Sequence, residues 1–226
     1  PQVRKAWIKY LNEKEKEVEG ECLVTGGKVA IARLHPAIKG VRGAQQKGAS
    51  IVSFNLDAFV SYNKAQSYNA PVGEELTFKY TTALNRLLSI DSRQKIQIGD
   101  ATTVFWTERD SPVEGFLGMV FNPGEDSSDI KEVHDFLDAV VKGKIPMTLK
   151  EPDMRFFILG LSPNASRLSV RFWHVDTVEN ISLKIGKHFN DLSIVRQYEK
   201  DPAHPGMWQL LKETAVLRDT KNISPL

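Results

Sequence analysis

Three turn signatures constrain this chain more than anything else in it. Gly26-Gly27 separates apolar runs at 21–25 and 28–34, and Gly99-Asp100 separates 94–98 from 102–107. Ser162-Pro163-Asn164-Ala165-Ser166 separates 155–161 from 167–175. Glycine and Asx residues supply the positive φ that tight hairpins need, so each signature predicts two antiparallel strands. Helical periodicity follows two of the hairpins. Residues 73–89 carry Leu76, Tyr80, Ala83, Leu84, Leu87 and Leu88 on one stripe. Residues 178–192 carry Ile181, Ile185, Phe189 and Leu192 behind a capping Thr177. Hairpins interleaved with helices imply an α+β fold, antiparallel hairpins with packed helices, rather than a parallel βαβ sheet.

The rest of the chain divides around these elements. Residues 3–19 read as a helix, so 1–20 forms a leading segment. Residues 21–108 form an α+β part, with a further strand expected at 49–55. Residues 109–127, rich in glycine and proline, read as a loop or linker. Residues 128–226 hold a helix at 129–142 with Asp129 and Glu132 spaced as a capping box. They also hold the third hairpin, helix 178–192 and a short helix around Trp208, and pack with the first part. With 226 residues and 41% hydrophobic content, the chain can bury one core, or one domain with a smaller satellite. Both termini read as cut, as in a piece of a longer protein.

The chemistry of most enzymes is not visible. Neither a G-x-S-x-G elbow nor a phosphate-binding P-loop occurs. The five histidines, His35, His134, His174, His188 and His204, lack the spacing of metal ligands. Asp100, Glu108 and Asp110 are close in sequence but read as turn and strand-end residues. No catalytic residue, metal or other cofactor is therefore expected. The lone Cys22 reads as a small buried residue and points to a reducing, cytoplasmic compartment. No apolar run approaches the roughly 20 residues of a membrane span.

Charge is informative only locally. The net charge is +2, yet from Cys22 to Leu56 there is no acid and there are five cations, Lys28, Arg33, Lys39, Arg42 and Lys47. Within this stretch lies 39-KGVRGAQQKGASIVSFN-55. Its glycines allow positive φ and close backbone approach, its cations focus a positive potential, and its glutamines carry donors and acceptors. One reading is a solvated surface loop. The sharper one is a DNA reader made of Lys39, Gly40, Arg42, Gly43, Gln45, Gln46 and Lys47. A second cluster lies in 163-PNASRLSVRFWHVD-176. Strand alternation puts Arg167, Ser169, Arg171 and Trp173 on one face and Leu168, Val170, Phe172 and His174 on the other. Arg167, Arg171 and Trp173 suit a nucleic-acid or a subunit contact equally. Asn69-Ala70-Pro71 reads as local turn structure ahead of the helix.

Several motifs carry a family resemblance. I-A-R-L-H-P-x-I-K-G-V-R-G-A-Q, G-A-S-I-V-S-F-N and Y-N-A-P-V come first, followed by Y-T-T-A-L-N, I-G-D-A-T-T-V-F-W and I-L-G-L-S-P-N-A-S-R-L-S-V-R-F-W-H-V-D-T. In this order, over about residues 20 to 195, the chain resembles an internal part of the large subunit of the type I-C CRISPR surveillance complex (Cascade). The resemblance implies a non-catalytic module in antiviral defence. Such subunits sit near the 5′ handle of the guide RNA, help recognise the motif flanking the target in double-stranded DNA, and assist strand opening. They hold the displaced strand and help present the target to a separate helicase-nuclease. The partners implied are target DNA, guide RNA through the complex, backbone and handle-binding subunits, and that helicase-nuclease. Large subunits of related complexes touch the motif from the minor groove with a glycine-rich loop, lysine and glutamine, a chemistry similar to that of residues 39–47. The alternative is a segment that mainly holds protein subunits together and touches DNA little.

Overall fold

The computed structural model describes residues 2–3, 5–6, 18–60, 62–109, 111, 114, 135, 138–139, 142, 151–192, 195 and 212–219. Two compact units emerge. One comprises 1–40, 44–86 and 164–168, and the other 41–43, 87–163 and 169–226. Antiparallel sheets and a few helices make the fold α+β.

The first unit begins with a hairpin of β1 (Glu19–Glu21) and β2 (Lys28–Ala30), in register Glu19↔Ala30 and Glu21↔Lys28. The expected strands 21–25 and 28–34 are shorter and shifted. The expected leading helix cannot reach residue 19, which is already in β1. Leu23–Thr25 form the turn, with Cys22 N–H donating to Gly27 C=O (2.9 Å) and Gly26 N–H to Cys22 C=O (2.8 Å). The competitor is the segment before the helix. Pro71 C=O accepts from Leu23 N–H, Val72 C=O accepts from Ala32 N–H, and Gly73 N–H reaches the Cys22 sulfur at 3.4 Å. Cys22 is buried, as expected. Asn69 acts locally, donating from Nδ2 to the carbonyls of Lys64 and Gln66.

Helix α1 (Glu74–Leu87) follows, with Glu74 and Glu75 at the positive end of its dipole. Its buried residues are Thr77, Thr81 and Leu84, and Leu88 is buried just beyond it. The expected stripe is therefore rotated, since Leu76 is only half-buried and Ala83 is exposed. A threonine can occupy the inner face because its hydroxyl can back-bond within the helix, as Thr81 does to Thr77 C=O at 2.8 Å.

Beside α1, buried His35 meets the Tyr80 hydroxyl through Nδ1 at 2.5 Å. Burial lowers the His35 pKa and pushes that of Tyr80 up to about 12. Both groups are thus held neutral. The contribution of His35 is complete above its ordinary pKa of 6.5 and fades as pH falls below it. That of Tyr80 fades as pH rises past its ordinary 10.0. Urea midpoints measured across this range should therefore fall at both ends, and His35→Gln should remove much of the acid-side slope. An unchanged acid limb in that variant would refute the assignment.

A four-stranded antiparallel sheet runs in the order β3 (Lys95–Ile98), β4 (Ala101–Thr107), β5 (Arg155–Asn164), β6 (Arg167–Thr177), and all of it but Asn164 and Arg167–Leu168 falls in the second unit. Ile98 pairs with Ala101, so Gly99-Asp100 is the two-residue turn that the dipeptide predicts, with Gly99 at φ +58°. The third turn is tighter than 162–166. Ser162–Asn164 remain in β5, and Ala165-Ser166 turn the chain with Ala165 at φ +53°. β4 is buried along nearly its whole length. Helix α2 (Val178–Asp191) starts directly after β6. Thr177 caps it by accepting from Asn180 N–H at 3.2 Å, and Val178, Ile181, Ile185 and Phe189 are buried. Asp176 accepts from Thr177 N–H, Asn180 Nδ2 and Lys184 Nζ, and the Lys184 contact above all holds its carboxyl well below the usual range.

The strand expected at 49–55 does not form. Ala49 bridges Ile38, Ser50 bridges Arg167, and the chain bends at 51–52. The run I-V-S-F lacks apolar alternation, and the Ile38 side of the pairing ends where Gly40 turns at φ +86°. Most of the helix expected at 129–142 and most of 109–127 lie outside the described residues, and so do 204–211 of the expected tail helix, though Asp135, Asp138 and Ala139 are helical. Within 212–219 a short 3₁₀ turn occupies Val216–Arg218. No described helix is long and apolar enough to cross a membrane.

Candidate nucleic-acid interface

The glycine-cation loop is pinned at its base. Ile38 and Ala49 exchange two main-chain hydrogen bonds, both at 2.9 Å, and both side chains are buried. Between them all three glycines adopt the left-handed region that disfavours side chains, Gly40 at φ +86°, Gly43 at +78° and Gly48 at +93°. Their first role is therefore to shape the loop. A Cβ on Gly48 would lie 2.8 Å from the Ile38 carbonyl oxygen, and one on Gly43 would touch Pro163 Cγ at 3.3 Å.

Further anchors hold the loop within each unit. In the first unit, Asn85 Oδ1 accepts from Lys39 N–H at 2.8 Å while its Nδ2 donates to Ala37 C=O at 3.2 Å. In the second, Val41 is buried and Arg42 N–H donates to Thr102 Oγ1 at 2.9 Å. The Lys39 and Arg42 amides are thus already engaged. What these residues offer outward is side chain. Lys39, Arg42, Gln45, Gln46 and Lys47 are all exposed, as are Gly40 and Gly43. Among the described residues, no carboxylate pairs with Lys39, Arg42 or Lys47. The other two cations of the acid-free stretch are engaged, Lys28 with Glu19 at 3.2 Å and Arg33 with Gln66 at 2.8 Å.

The second cluster is arranged differently. Arg167 donates to Asn55 Oδ1 at 2.5 Å and lies over the Phe59 ring at 5.3 Å. Arg171 pairs with Asp100 at 2.8 Å. Trp173 leans on Trp106 and Phe157, with ring centroids 5.5 and 5.9 Å away, and those two rings stack at 5.4 Å. Arg155 extends this group, pairing with Glu108 at 2.6 Å and lying 5.7 Å from the Phe157 centroid. That hydrogen bond lowers the Glu108 pKa and raises that of Arg155. The expected contrast between two faces of this strand is absent, because every residue from Val170 to Val175 is exposed. β6 is an edge strand, and its side chains from Val170 to Val175 stay exposed among the described residues.

The cations of the two clusters therefore differ in kind. Those of 39–47 are exposed and have no acid partner among the described residues, while Arg167 and Arg171 are engaged within the chain. The anchors Asn85 and Thr102, and the aromatic partners Trp106 and Phe157, escape sequence inspection because they lie 46, 60, 67 and 16 positions from the residues they contact. Of these, the hairpin of β5 and β6 points to Phe157 alone.

A search of curated proteins finds no match to this sequence. The model of a family described as CRISPR-associated protein (Cas_Csd1) matches residues 1–226. Since that match spans the whole sequence, the chain belongs to the Cas_Csd1 family of CRISPR-associated proteins.

Proposed function

We propose that this chain is a non-catalytic module of the large subunit of a type I-C RNA-guided complex. In this reading, it works in the cytoplasm and helps recognise the motif flanking a target in double-stranded DNA through residues 39–47. It supports strand opening, contacts the displaced strand and neighbouring guide-binding subunits, and helps present the target to a helicase-nuclease. Membership of a CRISPR-associated family gives the setting. The observation that carries the reading is the pinned loop, whose three cations stand exposed without a described acid partner beside two exposed glutamines. Such a loop adds phosphate contacts through its cations and groove-edge contacts through Gln45 and Gln46. Guide pairing reads the target in such systems and protein reads the short motif.

The test is a gel shift with the assembled complex and duplexes with or without the motif. Gln45→Ala/Gln46→Ala/Lys47→Ala should reduce motif preference at least tenfold, and equal preference in both proteins would move the reading function elsewhere. Separately, alanine at Lys39, Arg42 and Lys47 should flatten the log–log salt dependence by ~2–3 units if all three neutralise phosphates. The alternative, a mainly protein-binding segment, is favoured by one observation: Arg167, Arg171 and Trp173 are already engaged inside the chain.

A further inference from the structure

β6 is the last strand of its sheet, so among the described residues one of its edges has no neighbouring strand in that sheet. Natural edge strands are usually short, or blunted by proline, lysine or a bulge. β6 has 11 residues, and 168-LSVRFWHV-175 contains neither proline nor lysine. Its apolar side chains stand out on both faces, with Val170 51%, Phe172 37%, Trp173 53% and Val175 42% exposed.

The start of the strand shows what such an edge accepts. Arg167 forms a parallel bridge with Ser50, and Leu168 N–H donates to Ser50 C=O at 3.0 Å. The chain then bends away at 51–52. Among the described residues, no main-chain bond outside the ladder of the sheet involves Ser169 to Thr177. Most charges around the edge lie in closed pairs, Arg171 with Asp100 and Arg155 with Glu108, while Arg167 is held by the neutral Asn55 and the Phe59 ring. That balance leaves little field for a polyanion. It suits the polar rim of a protein contact, with Trp173 as its apolar centre. An added strand pairs a row of edge amides and carbonyls in register through its own main chain.

We propose that the Ser169–Asp176 edge of β6 docks an extended segment of another protein subunit, which adds as a fifth strand. This rests on the reading that the chain works inside a multi-subunit complex. The added strand places alternate apolar side chains against the Trp173 ring, and its main chain completes the ladder. Specificity comes from which side chains fit that ring, while affinity comes mainly from the ladder.

Hydrogen exchange followed by mass spectrometry tests this on the full-length protein alone and in the assembled complex without DNA. Amides within 169–176 should exchange at least tenfold more slowly in the complex. Val170→Lys/Val175→Lys alters only exposed positions and should abolish that slowing. Circular dichroism of the variant would show whether the fold is retained, and an unfolded variant leaves the wild-type comparison to decide. Equal rates in the two wild-type samples would overturn the proposal. So would amides facing away from β5 that are already slow in the protein alone, which would mean that its own chain closes the edge. Slowing caused by adding oligo-dT to the protein alone would assign the surface to single-stranded nucleic acid instead, and likewise overturn it. If the protein joins the complex but its edge stays unprotected, this inference fails alone. If it never joins the complex, the proposed function fails with it.

Discussion

Phe156→Ala should cost about 3–5 kcal/mol, the usual range for removing a fully buried phenylalanine. Phe156 and Phe105 are both 0% exposed, and their rings stack with centroids 6.0 Å apart. β4 and β5 carry them in a ladder whose register places Phe105 opposite Ile158 and Phe156 opposite Thr107. Truncation loses the transfer energy of the ring and leaves a cavity that two hydrogen-bonded strands cannot easily close. Whole domains are stable by only about 5–15 kcal/mol, so this single change should remove much of the margin. Urea unfolding followed by tryptophan fluorescence would measure it, with Trp106 close by as a reporter. Phe172→Ala, at an edge position 37% exposed, should cost far less. If the two variants were equally mild, the ring stack would not be the centre of this unit.

Gly48→Ala should be the most damaging single-methyl change in the glycine-cation loop. Two separate penalties meet there. Its φ of +93° is strained for any L side chain, and the new Cβ would sit 2.8 Å from the Ile38 carbonyl oxygen and 3.0 Å from Ala37 Cβ. Strain of this kind is worth on the order of 1–3 kcal/mol before the clash is added. The chain can relieve it only by opening the paired hydrogen bonds between Ile38 and Ala49, which are the base of the loop. Gly26→Ala is the control. It has a similar positive φ of +68° but nothing within 4 Å of the added carbon, so it should cost only the left-handed strain, about 1–2 kcal/mol. In denaturant titrations Gly48→Ala should therefore fall well below Gly26→Ala. In the assembled complex it should also lower motif preference, because the exposed side chains lose a fixed base. Parity between the two glycine variants would refute the steric account of the loop.

The opposite outcomes at Gly99 and at 49–55 show what a sequence can convey. Gly99-Asp100 turns as its residues dictate, because a two-residue hairpin is decided by local φ preference and the adjoining strands. Thr177 caps α2 for the same reason, as its hydroxyl reaches an amide three residues on. In contrast, Ile51, Val52 and Phe54 have strand-like side chains, yet they bend, because pairing needs a neighbour that the loop at Gly40 removes. The Gly26-Gly27 hairpin lies between these cases. The hairpin forms, but its connection runs over 22–27 with the turn at Leu23–Thr25 rather than at Gly26-Gly27, because Pro71 and Gly73 bond to Leu23 and Cys22 and pull those residues out of the strand.

The candidate interface divides along the same line. Composition alone located an acid-free run with three glycines and three cations at 39–48, because charge and the lack of a Cβ are properties of single residues. Whether those cations would find acids, and whether Arg167, Arg171 and Trp173 would stand free, depended on Asn55, Asp100, Trp106 and Phe157. Hairpins, caps and the cationic loop belong to the sequence, since interactions among near neighbours specify them. The edge position of β6, the rotated stripe of α1 and the pairing of the second cluster belong to the tertiary structure. Those depend on residues far apart in the chain, brought together only when burial decides which faces meet.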